Sequence, residues 1–330
     1  MKIIFYKQRS QAIEYIKQWE EENGIEVVVS NEKLDYRQLD KLSNYDGVVL
    51  AATSTIEEDM YQKIADQGIK QIALTSVGFD RIDLDLASKA GLIITNTPNY
   101  SPESIAEFTV MSILKLLKND DQIRRNVEAK NFRFADEILG ESIREKTVGI
   151  YGLGSIGFLV AQCLKAMGAK VIAYTPHTKG YARNTVEFVD DFESLLEKSD
   201  MITIHSALVE ENYHQFDKDA FSKMKDGSYL VNPARGGLVD SKALLDAVNN
   251  GKIKGAFLDV YEHEEGIYGH DNPSYDDDLF DQLLANPNII MTNHIAFFTK
   301  TAIKNQVRFS LDCVKEVLET GDSHYRINKK

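Results

Sequence analysis

Short apolar segments alternate with amphipathic segments along the first hundred residues. The apolar segments have the length of β-strands and are Ile3–Tyr6, Ile25–Val29, Gly47–Ala52, Ile72–Ser76 and Leu92–Thr95. Strands that are apolar along their whole length and are separated by helical patterns are typical of a parallel sheet with helices on both faces. The first hundred residues therefore predict one α/β domain.

A second series of apolar segments follows, again with helical patterns between its members. The predicted strands of this series are Thr147–Tyr151, Lys170–Tyr174, Met201–Ile204, Tyr229–Asn232, Gly255–Asp259 and Ile289–Met291. This alternation predicts a second doubly wound parallel sheet.

A long helix is predicted between the two series. Ser101 is a favourable N-cap residue, and Pro102 is favourable at the first helical position. From Ile105 to Leu117 the apolar residues fall on nearly every face of the helix. We therefore expect this helix to be buried on all sides, whether between two domains, in a subunit interface or in an ordinary core.

The last predicted helix runs from Thr299 to about Thr320. Because its apolar face must be buried, we place it against the first sheet. The predicted fold is therefore α/β, with one discontinuous domain made of residues 1–100 and 299–330 and a second domain made of residues 101–298.

A glycine-rich turn follows the first strand of the second series. It consists of Gly152, Leu153, Gly154, Ser155, Ile156 and Gly157, which fit the pattern G-x-G-x-x-G. The strand before it and the helix after it complete a dinucleotide-binding βαβ unit. Gly152 permits the tight turn, Gly154 lets backbone N–H groups approach a pyrophosphate, and Gly157 lets the helix pack against the strand. The turn predicts a Rossmann domain with a dinucleotide at a helix N-terminus.

The position that selects between NAD and NADP carries no acid. An NAD-selective unit has Asp or Glu at the end of its second strand, where this chain has Thr175. The residues that follow include His177, Lys179 and Arg183. These cationic groups could meet a 2′-phosphate or could be ordinary solvated loop residues, so the sequence leaves NAD or NADP open.

Composition and charge exclude several classes of protein. The 330 residues are 43% hydrophobic and 27% charged, as in ordinary globular proteins, and the net charge of −13 disfavours nucleic acid and anionic membranes as partners. The chain has neither a signal-peptide pattern nor eighteen consecutive apolar residues, so we expect a cytoplasmic protein. No metal is expected, because the segment starting at His263 lacks the second histidine of H-E-x-x-H.

Three polar segments follow strands of the second series. They are Val231–Gly237, Leu258–Glu265 and Thr292–Phe298. In open α/β sheets this edge is where ligands bind. Taken singly, the arginine, the histidine and the acids of these segments are most simply a surface ion pair, a core residue and an exposed turn. Taken together, beside the glycine-rich turn, they indicate an active site.

These segments, the glycine-rich turn and Asn99–Glu107 resemble the D-isomer-specific 2-hydroxyacid dehydrogenases, most closely their D-lactate dehydrogenase branch. The resemblance spans nearly the whole chain in order and spacing. It implies a flavodoxin-like substrate domain, a Rossmann domain with a cleft between them, domain closure and a homodimer. It also implies NAD(P)H-dependent reduction of a 2-keto acid to a D-2-hydroxy acid, with pyruvate to D-lactate favoured.

The same chemistry can be assigned to three side chains. The guanidinium of Arg235 can hold oxygen atoms with two parallel hydrogen bonds and keeps its charge, which suits the substrate carboxylate and ketone. His294 can exchange a proton near neutral pH, and a carboxylate such as Glu264 would raise its pKa and orient its ring. The resemblance gives the same catalytic roles to Arg235, Glu264 and His294.

The resemblance implies further contacts and also shows departures. Cofactor contacts are implied for Thr175, Pro176, His177, His205, Ala234 and Asp259, and substrate contacts for Val77, Gly78, Tyr100 and Phe297. Beside the histidine of the last motif, this chain has Asn293 and Ile295 where relatives have proline and threonine. After His205 it has Ser206 and Ala207 where relatives have valine and proline, and it has Thr75 where relatives commonly have arginine. We expect altered affinity rather than lost chemistry.

The sequence leaves the substrate open. Ala51, Ala52, Thr53 and Phe297 or Phe298 are expected to shape the pocket for the tail of the keto acid, and an extra methylene there changes discrimination by only about 1–3 kcal/mol. A D-2-hydroxyisocaproate or phenyllactate type of dehydrogenase is therefore one alternative. A dinucleotide-sensing binding protein of the same fold, without turnover, is another. The physiological direction is also left open.

Overall fold

The chain is described by a computed structural model over residues 1–6, 9–51, 54–79, 81–176 and 180–329. It divides into two compact units. The first comprises Met1–Ser101 and Phe298–Lys330, and the second comprises Pro102–Phe297.

One parallel sheet forms the centre of the first unit. Its described strands are β1 (Lys2–Tyr6), β2 (Glu26–Ser30), β3 (Gly47–Leu50), β4 (Gln71–Leu74) and β5 (Ile93–Thr95). They pair in the order β2-β1-β3-β4-β5, with every neighbouring pair parallel. This is the flavodoxin-like order, and it confirms the predicted class of the first sheet.

Helices cover the first sheet. The α-helices before residue 100 are α1 (Ile13–Asn23), α2 (Met60–Asp66) and α3 (Leu84–Lys89). Short 3-10 helices span Ser10–Ala12 and Tyr36–Asn44.

A second parallel sheet forms the centre of the second unit. Its described strands are β6 (Thr147–Tyr151), β7 (Lys170–Tyr174), β8 (Glu187–Phe188), β9 (Met201–Ile204), β10 (Ser228–Asn232), β11 (Ile253–Leu258) and β12 (Ile289–Met291). They pair in the order β12-β11-β10-β9-β6-β7-β8. On one side of β6 lie β7 and β8, and on the other lie β9, β10 and β11, which is the strand order of a Rossmann fold. Strand β12 is one further strand at the edge beyond β11. The predicted doubly wound class is confirmed; the two-residue edge strand β8 is an addition that the sequence pattern does not predict.

The helices of the second unit lie between these strands and before them. The α-helices are α4 (Pro102–Leu117), α5 (Asp120–Glu128), α6 (Ser155–Ala166), α7 (Phe192–Lys198), α8 (Lys218–Lys223), α9 (Ser241–Asn249) and α10 (Asp278–Ala285). The 3-10 helices are Asp136–Ile138, Ile143–Glu145, Gly180–Asn184, Glu210–Asn212 and Gly236–Leu238.

Helix α4 begins at Pro102, as the sequence predicts, but it is not buried on all sides. Ile113 and Leu117 are buried, whereas Met111 is 40% exposed. The expectation of complete burial is therefore wrong for the chain taken alone. Its apolar outer face is available to a partner.

The chain returns to the first sheet through α11 (Lys300–Thr320). The Thr299 hydroxyl caps its first turn by accepting from Ala302 N, and Gly321 ends it with a φ of +83°. Val307, Leu311 and Val314 of α11 pack with apolar residues of the first sheet. Among the described residues, no helix has the combination of length and apolar character that crossing a bilayer requires.

Candidate active site

The glycine-rich turn runs from the end of β6 into α6. Gly152 has a φ of +91°, and a Cβ there would lie 2.7 Å from the backbone nitrogen of Ser206. A Cβ on Gly157 would lie 2.4 Å from the carbonyl oxygen of Gly152. Both positions therefore accept only glycine, which agrees with the two structural roles expected of them.

Gly154 is different, because a Cβ there would meet no described atom within 4 Å. Gly154 is the N-cap residue of α6, whose first turn carries no acid. The positive end of the helix therefore faces an open cradle. Leu153 is 1% exposed and packs in the apolar core, so a cofactor contact from Leu153 would come from its backbone. A dinucleotide pyrophosphate fits this cradle.

The second strand of the unit, β7, ends beside the turn. The backbone N–H of Gly152 donates to the carbonyl of Tyr174 at 2.9 Å. Thr175 is half-buried and Pro176 is exposed. His177 lies outside the described residues, as do Ala52 and Thr53.

His205 follows β9, the strand next to β6. Its backbone N–H donates to the carbonyl of Tyr151 at 2.7 Å, and its ring Nε2 lies 3.0 Å from the hydroxyl of Thr203. The surrounding protein desolvates the ring and lowers the pKa of His205 to about 3. The ring is therefore neutral near pH 7. His205 packs beside the glycine-rich turn and is not suited to donate a proton to a substrate.

Arg235 follows β10 in a tight loop. The buried side chain of Asn232 accepts from Ala234 N at 3.0 Å and donates to the carbonyl of Arg235 at 2.8 Å. The guanidinium donates to the carbonyl of Ala234 at 2.8 Å. A Cβ on Gly236 would lie 2.1 Å from the backbone of Tyr261. This glycine therefore brings the loop of Arg235 against the segment that follows β11.

Glu264 and His294 form a hydrogen-bonded pair. Nδ1 of His294 lies 2.8 Å from Oε1 of Glu264, and the two side chains are 35% and 16% exposed. An ionised carboxylate only accepts, so Nδ1 is the donor. Among the described residues Nε2 of His294 has no hydrogen-bond partner, which leaves this nitrogen to exchange a proton with a substrate.

Asp259 holds the loop that carries His294. Its carboxylate is fully buried and accepts from the hydroxyl of Thr292 at 2.6 Å and from the N–H groups of Ile295 and Ala296 at 2.9 Å each. The Asp259 carbonyl accepts from His294 N at 2.7 Å. Burial raises the pKa of Asp259, and these hydrogen bonds act in the opposite direction. The contact with a cofactor expected of Asp259 stays a prediction.

Replacing Asp259 by asparagine tests this loop. One amide oxygen cannot accept from all three donors, so we expect a loss of about 1–3 kcal/mol in the free energy of unfolding and a lower kcat. If Asp259 instead contacts the cofactor, the Kd for NADH rises. Urea unfolding, kcat and fluorescence titration with NADH separate the two roles. The control is Asp277→Asn, since asparagine also caps a helix well and Asp277 caps α10. A stable variant with wild-type kcat would refute the loop role.

The predicted substrate residues of the first unit follow β4 and β5. The carbonyl of Val77 accepts from Asn96 Nδ2 at 2.7 Å, and the carbonyl of Gly78 accepts from the Ser76 hydroxyl at 2.6 Å. Within the described part of the chain, the N–H groups of Val77 and Gly78 donate to no acceptor, so they can still bind a carboxylate. The carbonyl of Tyr100 accepts from Asn305 Nδ2 at 2.8 Å.

The two aromatic residues near the end of the last motif differ in exposure. Phe297 is 8% exposed, whereas Phe298 is 41% exposed and lies under the guanidinium of Arg9 at 5.3 Å. Of the two candidates for the substrate pocket, Phe298 therefore presents the larger surface.

One polar cluster near Arg235 is absent from the sequence-based prediction. Nε2 of His214 lies 2.7 Å from Glu262, which also accepts from Ser241 N at 3.0 Å. Burial alone would raise the pKa of Glu262, but hydrogen bonds from Ser241 and His214 outweigh burial and lower it. Glu262 thus connects the segment after β11 with the loops that carry His214 and Ser241. In the sequence, the only signal for such a role is its position two residues before Glu264.

Sheet topology brings these groups to one edge. The strands that precede His294, Glu264, Arg235, His205 and the glycine-rich turn are β12, β11, β10, β9 and β6, which are consecutive neighbours. The carboxyl ends of parallel strands meet at the same edge, next to the point where the strand order reverses. A guanidinium, an imidazole–carboxylate pair and a dinucleotide cradle therefore share one crevice of the second unit.

Comparisons with known proteins agree with this geometry. Residues 110–296 match the NAD binding domain of the D-isomer specific 2-hydroxyacid dehydrogenases. The chain is 37% identical to a D-lactate dehydrogenase of Staphylococcus aureus strain MRSA252 over 332 aligned residues, 99% of each protein.

Solved structures resemble the chain over its full length. A D-lactate dehydrogenase from Treponema pallidum superposes with a TM-score of 0.90 at 34% identity, and each chain is covered to 100%. A D-2-hydroxyisocaproate dehydrogenase superposes with a TM-score of 0.91 at 33% identity, again over 100% of both chains.

Proposed function

Because the chain belongs to the D-isomer-specific 2-hydroxyacid dehydrogenases, NAD-dependent enzymes that interconvert 2-keto acids and D-2-hydroxy acids, we propose that it reduces pyruvate to D-lactate. The family and the activity class predicted from sequence are thereby confirmed. In the proposal the first unit supplies substrate contacts and the second binds the dinucleotide. The supporting observation is the alignment of the five site segments on consecutive strands of one sheet.

Arg235 holds the substrate in this proposal. Its guanidinium keeps its charge at every working pH and can hydrogen-bond the carboxylate and the ketone oxygen of a 2-keto acid together. Polarising the ketone makes C2 a better hydride acceptor. The N–H groups of Val77 and Gly78 take the other carboxylate oxygen, and Tyr100 borders the reacting carbon.

His294 supplies the proton. Glu264 holds Nδ1, so a protonated ring presents its second N–H at Nε2 to the ketone oxygen. As C2 accepts a hydride, this proton moves from Nε2 to the oxygen and the ring becomes neutral. In the reverse direction the neutral Nε2 accepts the hydroxyl proton.

NADH supplies the hydride when it is bound, and the cradle at Gly154 fits its pyrophosphate.

We also propose that NADPH is tolerated, because Thr175 offers no acid to repel a 2′-phosphate and Arg183 is exposed in the helix that follows. An acid at this position tests the proposal. Thr175→Asp should lower kcat/KM for NADPH about tenfold or more, since about 1.4 kcal/mol of charge repulsion has that effect. NADH is the control. An equal loss with both cofactors would contradict the role of Thr175.

A panel of 2-keto acids tests the proposed substrate. With NADH, kcat/KM is expected to be highest for pyruvate. The structural similarity to a D-2-hydroxyisocaproate dehydrogenase favours branched 2-keto acids as the second candidate, and a preference for them would replace pyruvate. Cofactor binding without turnover of any member would favour the dinucleotide-sensing alternative.

A homodimer is part of the proposal, and the surface of the segment 111–139 supports it. The exposed apolar side chains of this segment are Met111, Ile123, Val127, Phe132, Phe134 and Leu139. Exposed apolar side chains in this number are costly on a monomer, and a symmetric dimer would bury the same surface of both copies. Sedimentation should show a dimer for the wild type and a monomer for Phe134→Asp. A monomeric wild type would contradict the proposed homodimer.

A cytoplasmic location is also proposed, because the reaction consumes a nicotinamide cofactor.

A further inference from the structure

We propose that His214 and Glu262 are positioning residues, and that the hydrogen bond between them holds the loop of Arg235 in place. Through this bond the loop keeps its spacing from the segment of Glu264, which holds His294. The inference rests on the roles proposed above for Arg235, Glu264 and His294. It assigns a function to a polar pair that the proposed mechanism does not yet use.

One side of the Arg235 loop is held by the segment that carries His214. The backbone N–H of His214 donates to the carbonyl of Gly237 at 2.8 Å. Two residues further on, the backbone N–H of Phe216 donates to the carbonyl of Leu238 at 3.0 Å. These two hydrogen bonds fix the chain directly after Arg235.

The other side of the loop is held by the segment that carries Glu262. A Cβ on Gly236 would lie 2.1 Å from the carbonyl carbon of Tyr261, so the two backbones are in direct contact. Oε1 of Glu262 accepts from the backbone N–H of Ser241, the first residue of α9, at 3.0 Å. The chain from Gly236 to Ser241 is therefore attached at both ends to the segment that leads to Glu264.

One side-chain contact joins the two holding segments to each other. Nε2 of His214 lies 2.7 Å from Oε2 of Glu262, whose side chain is only 6% exposed. Burial would raise the pKa of Glu262, but hydrogen bonds from Ser241 and His214 lower it. The carboxylate is therefore ionised and only accepts, so Nε2 of His214 is the donor of a charge-assisted hydrogen bond.

The backbone of His214 gives a second reason to assign a purpose to this side chain. Its φ of +52° lies in the left-handed region, which few residues other than glycine adopt. Non-glycine residues keep such conformations where the surrounding structure enforces them, often at functional sites. Glycine would adopt this backbone without strain but has no side chain to reach Glu262. The histidine therefore serves the side-chain contact.

The proposed chemistry depends on the spacing of the two loops that this bond joins. Arg235 follows β10, whereas Glu264 follows β11 and holds the ring of His294. A 2-keto acid must meet the guanidinium and the imidazole at the same time. A displacement of about 1 Å between reacting groups can cost about 10²-fold in rate. The bond between His214 and Glu262 resists such a displacement.

Replacing His214 by asparagine tests the bond. Asparagine tolerates the left-handed backbone, but its side chain is too short to keep the contact with Glu262. For the 2-keto acid that the wild type reduces best, kcat/KM should fall about 10- to 100-fold. We expect a lower kcat and a higher KM, because Arg235 acts in the ground state and in the transition state. The longer His214→Gln side chain can donate from its amide and should recover most of the activity.

The binding of NADH and a double-mutant cycle separate positioning from a general loss of structure. The Kd for NADH should stay unchanged, because neither residue of the pair belongs to the glycine-rich turn. In an Arg235→Lys background, His214→Asn should have little further effect on kcat/KM. A lysine has already lost the planar fork that the loop positions, so the two losses should not add.

The matched control is Asp200→Asn. Like Glu262, Asp200 accepts with one oxygen from a backbone N–H, that of Thr147 at 2.7 Å, and with the other from a basic side chain, Nζ of Lys225 at 2.8 Å. Asp200 precedes β9 and Thr147 begins β6, so this cluster lies at the edge of the sheet opposite to the site. The control should lower the urea midpoint of unfolding and leave kcat/KM unchanged.

Two results would overturn the inference. One is wild-type kcat/KM in a folded His214→Asn variant, and the other is an equal loss with arginine or lysine at position 235. Should His214→Asn not fold, Glu262→Asp, which shortens the acid, decides the question by the same cycle. The wild-type assay distinguishes the two possible failures. No turnover of any 2-keto acid would refute the proposed function, whereas an active wild type with an unaffected His214→Asn variant would refute only the positioning role.

Discussion

His294→Ala is expected to lower kcat for keto-acid reduction by about 10²–10⁴, the range that a positioned acid or base contributes. The imidazole is held by Glu264 through Nδ1 and by the backbone bond from His294 N to the Asp259 carbonyl. Alanine keeps neither the proton nor the contact with Glu264. Steady-state kinetics at saturating pyruvate and NADH measure this loss.

The binding of NADH separates a chemical role for His294 from a structural one. The Kd for NADH should stay at its wild-type value, because the glycine-rich turn follows β6, which the three strands β9, β10 and β11 separate from β12. His324→Ala is the control, since His324 is 91% exposed and pairs with Glu316 on the first unit. A folded His294→Ala protein with wild-type kcat would remove His294 from the mechanism.

Arg235→Ala is expected to lower kcat/KM by a factor of about 30 to 5,000, because losing a charged partner in a desolvated contact costs about 2–5 kcal/mol. The arginine binds the carboxylate in the ground state and the developing alkoxide in the transition state. Both KM and kcat should therefore suffer. Arg235→Lys should recover only part of the loss, since an ammonium keeps the charge but lacks the planar fork.

Arg37→Ala is the matched control for Arg235. Arg37 is 76% exposed and pairs with Asp35 on the surface of the first unit, so its loss should leave kcat/KM unchanged. If Arg235→Ala raised KM alone and kcat kept its wild-type value, the arginine would bind the substrate without stabilising the transition state.

Much of the fold follows from local patterns. Apolar runs flanked by turn residues predict the strands, and β6, β7, β9 and β12 have the bounds expected of them. The helix start at Pro102 follows from its cap chemistry. Each of these features is decided by neighbours in sequence, so the sequence shows them directly.

Features decided by tertiary contacts escape the same reasoning. β8 has two residues and no apolar run, and it forms only because β7 offers an edge. The exposure of Met111 depends on which side of α4 the sheet covers. The Tyr268 hydroxyl has no hydrogen-bond partner among the described residues, and this depends on how one loop turns. None of these has a sequence period that could reveal it.

The departures from the family pattern show the same limit. Asn293 and Ile295 replace residues that flank the histidine in relatives, which puts the rigidity of this loop in question. In the structure, the rigidity comes from Asp259, which accepts from Thr292, Ile295 and Ala296. A backbone N–H serves this purpose whatever its side chain, so the departures leave His294 held in place.

A crystal structure with NAD+ and oxamate, an isostere of pyruvate, tests the central claim most directly. We expect the guanidinium of Arg235 and Nε2 of His294 both to lie within hydrogen-bond distance of the oxamate oxygen that stands for the ketone. A complex in which either group is directed away from that oxygen would contradict the account.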